Sequence, residues 1–191
     1  MKLATKIQAN AYILIGGSSR RFGSPKWAAE LNQVRLIDHI WNECERFQTC
    51  HVIGKTLTEK IDYPFIKDEI HEIQSPLNGL YTALMNTNKD WNFIISCDLP
   101  LITKDIIQRI WNSGNKTADA IVPLVDLQKH PLCAFYNRKI VLQIKEEILN
   151  NKLKVMDILK LIQTDYVDIK KNKNQFFNMN TKRDLEKISL H

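Results

Sequence analysis

Ala11-Tyr12-Ile13-Leu14-Ile15 runs directly into Gly16-Gly17-Ser18-Ser19-Arg20-Arg21-Phe22-Gly23-Ser24-Pro25-Lys26. The first five residues are an unbroken apolar run and read as a buried strand. The loop that follows is rich in small residues and then in positive charge. Outward from this stretch, short apolar runs alternate with longer mixed segments. Leu36, Ile37, Ile40, Trp41, Cys44 and Phe47 follow a helical rhythm, and Cys50–Ile53 and Pro64–Lys67 read as the next two strands. Leu80, Ala83 and Leu84 suggest a helix after a turn at Pro76 and Gly79. The clearest strand is Trp91–Ser96, ending at Cys97-Asp98-Leu99-Pro100.

Thr103 is placed to cap a helix carrying Ile106, Ile107, Ile110 and Trp111, which Gly114 and Asn115 stop. Asp119–Val122 is a strand closed by Pro123, and Leu132–Tyr136 is another, followed by a helical stretch with Ile140, Ile144 and Ile148. Val155–Leu161 suggests a short helix. Tyr166–Ile169 and Phe176-Phe177 read as short extended pieces. Thr181 begins the last helix, with Asp184 three residues on in a near-capping box. This alternation argues an α/β fold with a mostly parallel sheet covered on both faces. No repeat or linker divides the chain, so residues 1–191 are expected to form a single domain.

Position implies binding. Open α/β sheets take ligands at the carboxyl ends of their strands, where Gly16 and Gly17 fall. Glycines let the backbone turn tightly and bring N–H groups against a ligand. Arg20, Arg21 and Lys26 add charges that suit phosphate. Two familiar glycine motifs fail on spacing. A dinucleotide fingerprint starting at Gly16 would need glycine at Ser18 and Arg21. A P-loop starting at Gly17 would need glycine at Phe22, and Gly23 is followed by Ser24 rather than lysine. An ordinary glycine turn on a basic surface fits the same spacing.

The run Leu14–Lys26 resembles the signature of the nucleotidyltransferases related to molybdenum cofactor guanylyltransferase (MobA), which reads roughly Leu-Ala-Gly-Gly-x-Ser-x-Arg-Met-Gly-x-x-Lys. Ile15 stands for the alanine and Phe22 for the methionine, both apolar exchanges. Further matches follow in order. Asp68 and then Ser75-Pro76-Leu77-Asn78-Gly79 resemble an aspartate and Gly-Pro-Leu-x-Gly. Cys97-Asp98-Leu99-Pro100 resembles Cys-Asp-x-Pro. Lys129-His130-Pro131 resembles Arg-x-His-Pro, and Asn178-Met179-Asn180-Thr181-Lys182 resembles Asn-x-Asn-Thr-Pro.

The resemblance implies a Rossmann-like, GT-A-like nucleotidyltransferase domain. Its N-terminal half would bind nucleotide and its C-terminal half would be more involved with the acceptor. It implies a Mg²⁺-dependent transfer of GMP from GTP to the terminal phosphate of molybdopterin, with release of pyrophosphate. Leu14, Gly16, Gly17, Ser18 and Asp68 would line the nucleotide pocket, Asp68 as a contact to guanine or ribose. Lys26 and Arg21 would face phosphates, with Arg20 the weaker candidate. Asp98 would ligate Mg²⁺, which favours hard oxygen donors. Asn180 would sit near metal and phosphates, and His130 would help place the pterin or its phosphate.

The blander readings are a surface acid for Asp68, an N-terminal helix acid for Asp98, a structural histidine for His130 and a cap for Asn180. Gly16-Gly17 matches the guanylyl form, where related cytidylyl enzymes carry Ala-Gly. A molybdopterin cytidylyltransferase, a sugar-phosphate nucleotidyltransferase and a nucleotide-binding scaffold without turnover stay open as alternatives.

Composition limits the rest. The formal charge of +6 suits small polyanions such as nucleotides, and no zinc-finger spacing or aromatic-basic RNA motif argues for nucleic acid. No stretch approaches the ~20 apolar residues that span a bilayer, and Ala11–Ile15 is too short for a signal-peptide core. A cytoplasmic protein is expected. Cysteines 44, 50, 97 and 133 lack Cys-x-x-Cys spacing, so free thiols and no structural zinc are expected, with Cys97 a packing residue. The expected partners are GTP and molybdopterin, with molybdenum-insertion proteins and molybdoenzyme chaperones as further candidates, and the expected state is a monomer or weak homo-oligomer.

Overall fold

A computed structural model describes residues 6–16, 25–57, 61–181 and 183–184. The leading strand β1 (Asn10–Leu14) lies at the middle of the main sheet. It is parallel to β4 (Cys50–Gly54) on one side and to β6 (Trp91–Ser96) on the other. β5 (Phe65–Lys67) continues the parallel order beyond β4. On the other flank β9 (Cys133–Asn137) runs antiparallel to both β6 and β7 (Ala120–Val125), and β10 (Thr164–Asp168) closes the edge parallel to β7. The order is therefore β5-β4-β1-β6-β9-β7-β10, with β8 (Gln128–Lys129) pairing β7. Chain order reverses about β1, so its carboxyl end opens a crevice between neighbours, the usual ligand position in such sheets.

Alternation along β1 explains the two-sided burial. Ala11 and Ile13 join a core with α1 (Leu36–Glu43) and α3 (Lys104–Ser113), while Tyr12 and Leu14 join a core with α2 (Pro76–Met85), α4 (Val141–Leu149) and α5 (Val155–Ile158). With a helical layer on each face, a strand needs apolar residues at every position, hence the unbroken run. Each fully buried isoleucine, such as Ile13, contributes about 1.5–3 kcal/mol by leaving water.

Several local features differ from the sequence reading. Pro76 is not in a turn ahead of α2. It is the first helical residue, with Ser75 as N-cap accepting a hydrogen bond from Asn78 N at 3.1 Å. Pro123 does not end β7. The β7–β9 ladder pairs only Ala120 and Ile121, so the missing N–H of Pro123 costs no ladder bond. Thr103 flanks α3, but its hydroxyl donates to Gln175 Oε1 at 2.8 Å instead of capping, while Glu43 accepts from Lys104 N. Phe176 closes a 3-10 turn, Lys173–Phe176, where an extended piece was expected.

Two small hairpins were not anticipated. β2 (Glu30–Leu31) and β3 (Val34–Arg35) are joined through Asn32 and Gln33 at φ 52° and 65°. β7 and β8 are joined through Asp126 and Leu127 at φ 47° and 66°. Paired positive φ is the geometry of the tight turns that match strand twist, ordinarily marked by glycine, which neither pair contains.

Candidate active site

Two adjoining cavities open at the carboxyl ends of β1, β4 and β6. The first, about 170 Å³, is lined by Leu14, Gly16, Ile53, Gly54, Asp68, Gln74, Ser75, Pro76, Gly79, Ser96 and Leu132. The second, about 190 Å³, is lined by Ser96, Asp98, Leu99, Gln128, Lys129, His130, Pro131, Leu132, Asn178 and Asn180. Ser96 and Leu132 belong to both and form the wall between them.

In the first cavity a Cβ on Gly16 would meet no heavy atom within 4 Å among the described residues, so it would occupy open space. Gly54 and Gly79 are held by close packing. A Cβ on Gly54 would stand 2.8 Å from Ile15 Cγ1, and one on Gly79 would stand 3.0 Å from Leu14 Cδ2. Asp68 is only 5% exposed. Its backbone is tied at both ends, with its N–H donating to Gly54 O at 3.0 Å and its carbonyl accepting from His71 Nδ1 at 2.7 Å. Among the described residues its carboxylate has no hydrogen-bond partner. Burial pushes the Asp68 carboxyl above its ordinary range, and the charges of His71 and Lys55 partly oppose this. The surface-acid alternative is thereby overturned. Asn78 fixes the loop bearing Asp68 and Gln74 by donating to Ile70 O at 2.8 Å and Ile73 O at 2.7 Å.

At the second cavity three residues remote in sequence meet. Lys26 Nζ lies 3.6 Å from Asp98 Oδ2, with side-chain exposures of 17% and 26%. The same ammonium donates to Asn180 Oδ1 at 3.2 Å. The other Asp98 oxygen accepts from Ser96 Oγ. Each partner is anchored. Lys26 opens a 3-10 turn whose Trp27 is buried in the core. Met179, buried with Leu31 and Leu36, donates its N–H to Asp98 O at 2.8 Å. Thr181 and Asp184 form the expected reciprocal cap, the Asp184 carboxylate accepting from Asn180 N at 2.9 Å and Thr181 N at 2.8 Å.

His130 is buried, with its ring centroid 4.8 Å from that of Phe176. Burial lowers its pKa, with the Asp98 charge partly opposing, so the imidazole is neutral near pH 7. Cys97 points into the core between Ser96 and Asp98, and burial pushes its thiol to about 12, which fits packing and not nucleophilic work. Among the described residues no three His, Cys, Asp or Glu side chains form a metal group. What is present is one carboxylate and one amide oxygen, both hard donors, already gripping a cation in the form of Lys26, with a hydroxyl behind the carboxylate. That set suits an ion such as Mg²⁺ that keeps waters and substrate phosphates in its shell.

Leu14, Gly16 and Asp68 thus stand together in one cavity, Asp98, His130 and Asn180 in the other, and Lys26 beside Asp98 and Asn180. Gly17, Ser18, Arg20 and Arg21 lie outside the described residues. Ser96 was missed, although its position two residues before Asp98 at a strand end is a signal that both side chains project the same way. Gln74, Gln128 and Leu132 were missed as well, and no local pattern marks them.

Residues 11–164 match the family described as MobA-like NTP transferase domain. The chain belongs to that family. The chain is also similar to proteins named probable molybdenum cofactor guanylyltransferase. One from Bacillus licheniformis is 30% identical over 185 residues, covering 92% of this chain and 94% of the relative. One from Aquifex aeolicus is 30% identical over 183 residues, covering 93% and 88%. Among solved structures, molybdopterin-guanine dinucleotide biosynthesis protein A from Archaeoglobus fulgidus superposes with a TM-score of 0.82 at 24% identity, covering 95% of this chain and 97% of that one. The 2-C-methyl-D-erythritol 4-phosphate cytidylyltransferase from Thermus thermophilus superposes at 0.70 with 9% identity, covering 94% and 96%. Both likenesses establish the shared fold.

Proposed function

We propose that this protein transfers GMP from GTP to the terminal phosphate of molybdopterin, with or without molybdenum, and releases pyrophosphate. The observation that carries the reading is the meeting of Lys26, Asp98 and Asn180 at the second cavity, which shares the Ser96–Leu132 wall with the first, each cavity being large enough to seat part of a reactant. The names of the relatives at 30% identity support the choice of substrates.

GTP occupies the cavity of Leu14, Gly16 and Asp68, with the buried carboxylate facing the N–H groups of guanine or the hydroxyls of ribose. The Asp68 carboxylate faces the cavity, where a donor-rich ligand can supply the hydrogen bonds that no described residue makes to it. Molybdopterin occupies the cavity of Lys129, His130 and Asn178. Neutral His130 donates to or accepts from it without adding charge. An oxygen of the acceptor phosphate bonds to the α-phosphorus of GTP as the bond to the pyrophosphate oxygen breaks. The acceptor phosphate is largely ionised near pH 7, so no strong base is needed.

Lys26 turns its ammonium to the triphosphate, and Asp98 with Asn180 would then hold Mg²⁺. When bound, Mg²⁺ acts as a Lewis acid on phosphate oxygens. Gly17, Ser18 and Arg21 complete the phosphate contacts in this reading, with Arg20 at their edge. Alignment of two anions and preorganised positive charge supply the catalysis.

No helix among the described residues is long and apolar enough to cross a membrane. The proposal further takes the enzyme to be cytoplasmic, with molybdoenzyme chaperones and molybdenum-insertion proteins as its partners. The test is to incubate the protein with Mg²⁺, molybdopterin and GTP, CTP, ATP or UTP in turn, measure pyrophosphate and identify the dinucleotide. GTP-selective release is expected. A preference for CTP would move the substrate to the cytidylyl branch, and no release with any triphosphate would overturn the enzyme reading.

A further inference from the structure

The wall between the cavities contains a hydroxyl that the reaction scheme leaves unused. Ser96 ends β6, and its N–H is fixed to Leu132 O at 2.9 Å, so its Cβ direction is set by the sheet. Its Oγ donates to Asp98 Oδ1, while Lys26 holds Oδ2. The two oxygens of one carboxylate are therefore held by different groups. These two holds differ in permanence. Lys26 must leave Oδ2 when it turns to a triphosphate, whereas Ser96 has no other task and stays. An aspartate carboxylate, carried on two rotatable bonds, would turn and lose its aim once its lysine had gone if nothing else tethered it.

Resting on the nucleotidyl-transfer reading above, we propose that Ser96 is a positioning residue that fixes the Asp98 carboxylate and directs its second oxygen at the divalent cation when nucleotide binds. A hydroxyl donating to a ligating carboxylate lets the other oxygen face the metal, and loss of such an outer partner weakens metal binding by about 10–100-fold. Ser96 lines both cavities, so this fixed point also lies where the two reactants meet.

The test measures how much a divalent cation tightens nucleotide binding, which is a coupling free energy independent of turnover. A fluorescent GTP analogue is titrated into the wild-type protein, Ser96→Ala, Ser96→Thr and Asp98→Asn, once in EDTA and once in saturating Mn²⁺. Wild type binds more tightly with Mn²⁺. Ser96→Ala loses about ten-fold or more of the Mn²⁺-dependent gain, read as the ratio of its affinities with and without Mn²⁺. Ser96→Thr, which retains the hydroxyl, keeps the gain, and Asp98→Asn abolishes it. A general structural defect, or the loss of a direct nucleotide contact, would lower affinity equally in EDTA and in Mn²⁺ and leave the ratio unchanged. An unchanged gain in Ser96→Ala, or an equal loss in Ser96→Thr, overturns the role of Ser96 while leaving Asp98 as the ligand. A full gain in Asp98→Asn, or no gain in wild type, overturns the metal reading and this proposal with it.

Discussion

Replacing Gly79 with alanine separates packing from ligand binding in a way the structure makes quantitative. The added methyl would stand 3.0 Å from Leu14 Cδ2 and 3.1 Å from Cδ1, so Leu14 must give by a few tenths of an ångström. In a helix, alanine is favoured over glycine by about 0.5–1 kcal/mol. Forced contacts in a packed interior cost about 1–3 kcal/mol. Leu14 has the first cavity, about 170 Å³, as room to yield, which puts the packing cost at the low end. The net loss of stability is then about 0–0.5 kcal/mol, a fall in Tm of at most about 2 °C for a chain of this length. The displaced side chain takes space from the nucleotide, and a loss of about 1.4 kcal/mol weakens binding ten-fold. Thermal unfolding and titration with a fluorescent GTP analogue read the two effects separately. Adding Leu14→Ala removes the three crowded atoms and should restore much of the lost affinity. A large fall in Tm with nucleotide affinity intact would refute both the direction in which Leu14 yields and the assignment of this cavity to nucleotide.

Asp68→Asn is expected to weaken GTP binding and yet stabilise the fold at neutral pH. The folded-state pKa of Asp68 is raised, so its favourable contribution is complete below the ordinary carboxylate value and is lost as pH rises through the folded value. The variant's advantage in urea unfolding should therefore be largest near pH 7 and shrink toward acid pH. Gly114→Ala places a Cβ 2.4 Å from Ile121 Cγ2, in the core and remote from both cavities. Its backbone φ of −79° suits alanine, so the cost is steric, about 1–3 kcal/mol, seen as a lower Tm with normal turnover per folded molecule. Asp98→Asn should reduce pyrophosphate release by about a hundred-fold or more, since several kcal/mol of charge stabilisation depend on it.

How much of this was legible depended on whether the governing physics is local. Ala11–Leu14 and Phe93–Ile95 announce themselves because strands covered on both faces need near-continuous apolar runs. The helix bearing Ile106, Ile107 and Ile110 is equally plain, since its buried side repeats at helical spacing. Asn32-Gln33 and Asp126-Leu127 hid their hairpins, because surrounding strand pairing holds ordinary residues at positive φ where glycine would be the marker. Thr103 looked like a cap, but its hydroxyl is taken by Gln175, 72 positions away, a competition that local spacing cannot reveal.

The site divides in the same way. Lys26 and Asn180 are separated by 154 positions and meet only through the fold. Resemblance to a family named them both, while their local sequence reads as a turn and a cap. Asp68 beside Glu69 looks like surface charge, yet it is buried where its backbone N–H joins Gly54 O at the end of β4, a contact that local sequence cannot reveal. Ser96 was readable in principle, because period-two geometry aims it alongside Asp98.

The central claim is that a triphosphate and a divalent cation meet at the wall between the two cavities. The direct measurement is a crystal structure of the protein with a non-cleavable GTP analogue and Mn²⁺, with the metal located by anomalous scattering. The account predicts guanine and ribose beside Asp68, the metal on Asp98, and Lys26 moved from Asp98 to the phosphates. A triphosphate bound away from Lys26, or a metal peak without Asp98 in its shell, would contradict it.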